Sequence, residues 1–163
     1  IFATGMSNGA MMAYRLACEL PETFAAIAGV AGTDNTTECK SSKPISVLHI
    51  HAKDDDHVLF DGGAGKNAFK DRAQINEFTS VKDTIAKWVK INSCNEKPER
   101  ILEKTGAYCE RYTKCKSNTT VQLCVTETGG HSWPGGKKPR NVGGVPSTAI
   151  SANDVMWDFF KSH

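Results

Sequence analysis

The chain has 163 residues, 39% of them apolar, and 20 Lys/Arg against 18 Asp/Glu leave a formal net charge of +2. That length supports one domain with a core of its own, and the near balance of charge excludes the basic stripe that marks nucleic-acid binders. No run is apolar for the roughly 18 residues or more that a membrane span needs, and the one basic cluster, Lys137, Lys138 and Arg140, reads as a solvated loop.

Ile1–Thr4 reads as a short strand ending at Gly5. No charged-then-apolar leader opens the chain, so the sequence is expected to start inside a fold, as a single domain over 1–163 truncated at its N-terminal side. Asn8–Leu20 has apolar residues at helical spacing (Met11, Met12, Leu16, Cys18), and Pro21 stops it. Phe24–Ala31 is an apolar run of strand length. Thr33–Ser42 is polar and loop-like. Ile45–Ile50 is a strand entered from Pro44, and an acidic, glycine-rich loop follows over Asp54–Gly65. Gln74–Ile91 reads as a second helix with Ile75, Phe78, Ile85, Trp88 and Val89 as its apolar stripe, closed by Asn92–Cys94. Arg100–Thr113 and Thr119–Thr126 read as an antiparallel pair around a turn at Lys116–Asn118. Gly129–Val145 is a Gly/Pro-rich loop. Ser151–Phe160 is a last helix, with Ser151 as N-cap and Asp154 three residues on. Strands alternating with helices imply parallel strands covered by crossover helices.

Six cysteines without a CxxC pair favour disulfides over zinc, and an oxidising compartment. Cys109 and Cys124 are equidistant from a turn around Lys116–Ser117, as cross-strand partners would be. That leaves Cys94 with Cys115 and Cys18 with Cys39. The sequons at Asn35 and Asn118 are compatible with secretion.

The chemistry starts at Gly5-Met6-Ser7-Asn8-Gly9, a G-x-S-x-G between a strand and a helix. A tight turn there lifts the serine hydroxyl out of the sheet, and the helix start offers free N–H groups to a developing anion. Ser7 is therefore the candidate nucleophile and the Asn8 N–H a candidate oxyanion donor. A serine needs a base. His131, on a Gly-rich loop after the last strand, occupies the late place that this order of residues requires. The acid should follow Ile45–Ile50, where Asp54, Asp55 and Asp56 stand in a row, and position alone does not choose among them. A competing reading is a metal-dependent hydrolase using His49, His51 and His57. The blander one is that His49 and His51 are buried strand residues with local hydrogen bonds. Trp133, beside the base, either lines a substrate pocket or packs.

These motifs together resemble the poly(3-hydroxybutyrate) depolymerase-like esterases, a family that includes feruloyl and acetylxylan esterases of the α/β-hydrolase fold. Gly5 to Tyr14 is similar to the family's nucleophile elbow and helix. His51-Ala52-Lys53-Asp54-Asp55-Asp56-His57-Val58-Leu59-Phe60 matches its H-G-x-x-D-x-x-V-P-Y, and this alignment selects Asp55. Gly130-His131-Ser132-Trp133-Pro134-Gly135-Gly136 matches G-H-x-W-P-G-G, which carries the family's histidine. Asn92-Ser93-Cys94 resembles the family's N-G-C, and Trp157-Asp158-Phe159-Phe160 its last helix. Ala52, Leu59 and Phe60 depart from the pattern and weaken any transfer of substrate preference.

The resemblance implies the C-terminal half of an α/β-hydrolase: a mostly parallel sheet with helices on both faces, disulfide-bonded. It also implies a secreted or periplasmic serine carboxylesterase, working through Ser7, His131 and Asp55 without metal or organic cofactor. Its substrate would be an ester of polyhydroxyalkanoate, feruloyl or acetyl type. The second oxyanion donor would lie in a missing N-terminal half, a possible partner chain; no nucleic acid or membrane is expected to bind. The alternative is a catalytically incomplete fragment acting as a binding module.

Overall fold

The structure is a computed structural model that describes residues 1–39, 43–68, 77–137 and 144–163. Its elements follow the order β1 (Phe2–Met6), α1 (Asn8–Glu19), β2 (Ala26–Val30), β3 (Ser46–Ala52), α2 (Val81–Ile91), β4 (Glu99–Lys104), β5 (Ala107–Tyr112), a 3-10 turn at Lys116–Asn118, β6 (Val121–Thr126) and α3 (Ala152–Lys161). The six strands form one mixed sheet in the order β1-β2-β3-β6-β5-β4. β1, β2, β3 and β6 pair parallel to their neighbours, while β6-β5 and β5-β4 are antiparallel.

Side chains alternate along a strand, and here they alternate between two apolar clusters. Ala26, Ala28 and Val30 of β2 join Leu48 and Ile50 of β3 and the α3 residues Met156, Phe159 and Phe160. Ile27 and Val47, one position out of phase, join Tyr14 and Ala17 of α1 and Ile85 and Trp88 of α2. Trp88 is fully buried and gives its indole N–H to the buried Asp34, which also holds Lys87 Nζ at 2.9 Å. Truncating such a residue to Ala typically costs about 3–5 kcal/mol.

Two sequence expectations change. The second helix does not run from Gln74: residues 74–76 lie outside the described residues, and 77–80 are not helical. It starts at Val81 because Ser80 caps it, its Oγ accepting from the Asp83 N–H at 2.9 Å and donating to Asp83 Oδ2 at 2.7 Å. Phe78 therefore precedes the helix, and Ile85 and Trp88 carry the buried stripe. The run Arg100–Thr113 is likewise not one strand but a hairpin of its own. Lys104 pairs with Ala107 around Thr105-Gly106, where Gly106 takes φ +82. Its second arm, β5, is the one that pairs with β6.

Disulfides join Cys18–Cys39, Cys94–Cys115 and Cys109–Cys124. The last is a directly opposed cross-strand pair of β5 and β6. Ser151 caps α3, accepting from the Asp154 N–H. Of the basic cluster, Lys138 and Arg140 lie outside the described residues, as does 138–143 of the Gly/Pro-rich loop.

Candidate active site

Because β1, β3 and β6 run parallel, the segments leaving their carboxyl ends meet at one end of the sheet, the end where open α/β sheets bind ligands. Ser7 follows β1, Asp55 follows β3 and His131 follows β6. Ser7 sits at φ 54, ψ −120 at the junction of β1 and α1, a conformation disfavoured for any residue with a Cβ. Its N–H is held by Val30 O at 2.8 Å and its C=O by Met11 N at 3.1 Å, so the strain is fixed from both sides. Its side chain makes no cap bond to α1, which leaves the hydroxyl uncommitted to the helix. Asn8 opens α1, where N–H groups have no intrahelical acceptor.

Two glycines make room for this turn. A Cβ on Gly5 would stand 2.5 Å from the Gly9 carbonyl carbon, and one on Gly32, in the loop after β2, would be driven into the Ser7 carbonyl. Gly9 itself has open space where its Cβ would go, so of the two motif glycines only Gly5 is sterically required. Gly32 escaped sequence reasoning because nothing local marks it.

The three aspartates divide their work. Asp54 accepts from the Gly130 N–H at 2.7 Å and the Gly129 N–H at 3.3 Å, which pins the start of the His131 loop. Asp55 is buried and faces His131: Nδ1 lies 2.9 Å from Oδ2 and 3.2 Å from Oδ1. The other side of its carboxylate accepts the backbone N–H groups of His57 at 2.8 Å and Val58 at 3.0 Å. Burial alone would push the Asp55 carboxyl up. The hydrogen bonds from His131 and His51 outweigh it and hold the group well below the usual carboxylate range. Asp56 pairs with His57 Nδ1 at 2.7 Å and with the Asn67 amide. Against the same opposing burial, these bonds lower its carboxyl as well.

His57 has a place that the sequence did not suggest. Its ring lies on the His131 ring, centroids 4.4 Å apart and planes 15° from parallel. It also lines, with Ser7, Asn8, Met11 and Phe78, a cavity of about 340 Å³. His57 thus belongs to two neighbourhoods, lining a cavity with Ser7 and stacking on the His131 that pairs with Asp55.

Asp55, His57 and His131 bring one ligand-type atom each to within 4.8 Å of one another. Hydrogen bonds already engage all three, Asp55 with His131 and His57 with Asp56. His49 and His51 are not in that trio, and their ring nitrogens are spent on Tyr14, on each other and on Val58 O. The His49/His51/His57 metal reading therefore has no free lone pair on the strand histidines. Trp133 gives its indole N–H to Asn153 Oδ1 of α3 at 3.0 Å and packs against the Phe159 cluster, contacts that favour the packing reading.

No known family model matches the chain. It is 30% identical over 143 residues to "Feruloyl esterase B" of Piromyces equi, covering 84% of this chain and 26% of that protein. It is 30% identical over 174 residues to a protein of Nocardia uniformis subsp. tsuyamanensis that carries the provisional name esterase NocK, covering 98% of this chain and 50% of that protein. The chain therefore spans half or less of the curated relatives it matches, and both are named as esterases.

Proposed function

We propose that this chain carries the catalytic C-terminal half of a secreted serine carboxylesterase of α/β-hydrolase type, with Ser7 as nucleophile, His131 as base and Asp55 as acid. The observation that carries the reading is the strained Ser7 between β1 and α1, at the same sheet end as a buried Asp55–His131 pair. Asp55 accepts the Nδ1 proton of His131, so Nε2 keeps a lone pair for the Ser7 Oγ proton. Oγ attacks the ester carbonyl, and the Asn8 N–H at the start of α1 receives the oxyanion. Protonated His131 returns the proton to the leaving alcohol. Water then repeats the sequence on the acyl-enzyme and releases the acid.

The substrate class is a carboxylic ester of feruloyl, acetyl or polyhydroxyalkanoate type. The name of the Piromyces equi relative favours the feruloyl choice. Three disulfides suit an extracellular or periplasmic site. The half of the relatives that this chain does not span is the proposed source of the second oxyanion donor, as a covalent or separate partner.

Intact-mass spectrometry before and after a fluorophosphonate probe tests the reading, with Ser7→Ala as control. One adduct that Ser7→Ala lacks is expected. No adduct on a chain extended to the relatives' full length would sink the esterase reading in favour of a binding module.

A further inference from the structure

Three buried polar side chains take no part in the proposed chemistry. Tyr14 on α1 and His49 and His51 on β3 are essentially without solvent exposure. They form a continuous line. Tyr14 Oη lies 2.7 Å from His49 Nδ1, and His49 Nε2 lies 3.0 Å from His51 Nδ1. His51 Nε2 then lies 2.8 Å from Val58 O and 3.3 Å from Asp55 Oδ2.

The direction of the protons along this line follows from its last step. Val58 O is a carbonyl and Asp55 an ionised carboxylate, so both only accept. His51 Nε2 must donate to them. In a neutral imidazole its Nδ1 then accepts, so His49 Nε2 donates and His49 Nδ1 accepts the Tyr14 O–H. Every member has one role left, and each contact is satisfied. Burial, and then the neighbouring His51, hold the His49 imidazole well below its usual value and hence neutral. Burial, and then Asp34, raise the Tyr14 phenol, so it keeps its proton.

We infer that Tyr14, His49 and His51 form a one-way hydrogen-bond chain ending on Asp55, and that His51 is a positioning residue for the acid. Oδ1 of Asp55 is fixed by the His57 and Val58 N–H groups. Oδ2 is where His51 and His131 meet, at 3.3 Å and 2.9 Å. His51 thereby holds Oδ2 in the place that receives the His131 Nδ1 proton. His57 is stacked on the His131 ring and bonded to Asp56. The link from Asp55 to catalysis rests on the triad reading; the direction of the chain does not.

The direct test is a long-range 1H–15N correlation on the 15N-histidine-labelled chain. Both His49 and His51 are expected as neutral Nε2–H tautomers, and His131 with its proton on Nδ1. An Nδ1–H or doubly protonated His51 overturns the chain. The second test compares His51→Leu with His51→Gln, whose amide N–H can stand in for Nε2–H. With a small activated ester, Leu is expected to lower kcat about tenfold or more at nearly constant KM, the scale of one lost hydrogen bond to a charge. It should also move the His131 Nδ1–H resonance, and Gln should restore most of both. Equal loss in Leu and Gln, or a folded Leu variant with kcat and resonance unchanged, overturns the positioning role. The tautomer measurement needs no variant and stands if Leu does not fold. Expected tautomers with no Ser7 adduct on the chain extended to the relatives' full length would sink the esterase reading and leave the hydrogen-bond chain. A labelled Ser7 with His51 protonated on Nδ1 would do the reverse.

Discussion

At the scale of single residues, the site is held by backbone clearance and carboxylate chemistry. Gly32→Ala drives a methyl into the Ser7 carbonyl, where the rigid backbone has to move. We expect a loss of about 1–3 kcal/mol by denaturant titration and a sharp fall in probe labelling of Ser7. Gly9→Ala meets open space inside α1 and should gain a few tenths to about 1 kcal/mol; a loss there would show that α1 is not helical at that turn. Asp55 gives a pH prediction. Its folded carboxyl lies below its unfolded value of about 4, so its ionised bonds stabilise the fold above that pH. The contribution fades as pH falls through 4 toward the lower folded value. The stability gap between wild type and Asp55→Asn should therefore be widest near neutrality and shrink below about pH 4. A pH-independent gap would contradict the depressed carboxyl.

At the scale of elements, sequence was most informative where a local rule had no competitor. The strand, serine, helix succession stands where the motif put it, and Ser151 caps α3 as its spacing implied. The apolar period continues through Phe78 and so overextends the second helix, while the stronger signal is Ser80 with Asp83 three residues on. The β4–β5 hairpin is hard to see in the sequence because its residues read as one extended run punctuated by Gly106. The three neighbouring aspartates could not be told apart by position, since their roles are set by partners 70-odd residues away: Gly129 and Gly130 for Asp54, His131 for Asp55. In the line from Tyr14 through His49 to His51, the burial and local bonds of the two histidines are legible on their strand, while the step to Tyr14, 35 residues away, is not. At Gly106 the φ of +82 carries the cost and the added methyl only touches Ala149 at 3.4 Å, so Gly106→Ala should lose about 1–2 kcal/mol by urea titration and leave Ser7 labelling intact. No change in stability would mean that the turn relaxes to another form.

At the scale of the whole molecule, the two edges of the sheet are built differently. β4 closes one side and carries Glu99, Arg100, Glu103 and Lys104, with Arg100 reaching both Glu103 and Glu110. Charges of this kind discourage a second strand from adding to an edge. β1 closes the other side with Phe2-Ala3-Thr4-Gly5-Met6 and bears no charge, and among the described residues no strand pairs with its outer edge. Ile1 is 78% exposed, and Phe2 lies stacked on Phe160 at 4.4 Å. An uncharged edge next to the Ser7 turn suits pairing with further chain, in keeping with the proposal that the activity needs the half of the relatives not spanned here. The 163-residue chain by itself should then self-associate with rising concentration in sedimentation velocity. Thr4→Lys, which places a charge at an exposed edge position, should suppress that association without lowering the melting temperature. A chain that sediments as a monomer at every concentration would show that β1 is not adhesive, and the case for a pairing partner at that edge would fall with it.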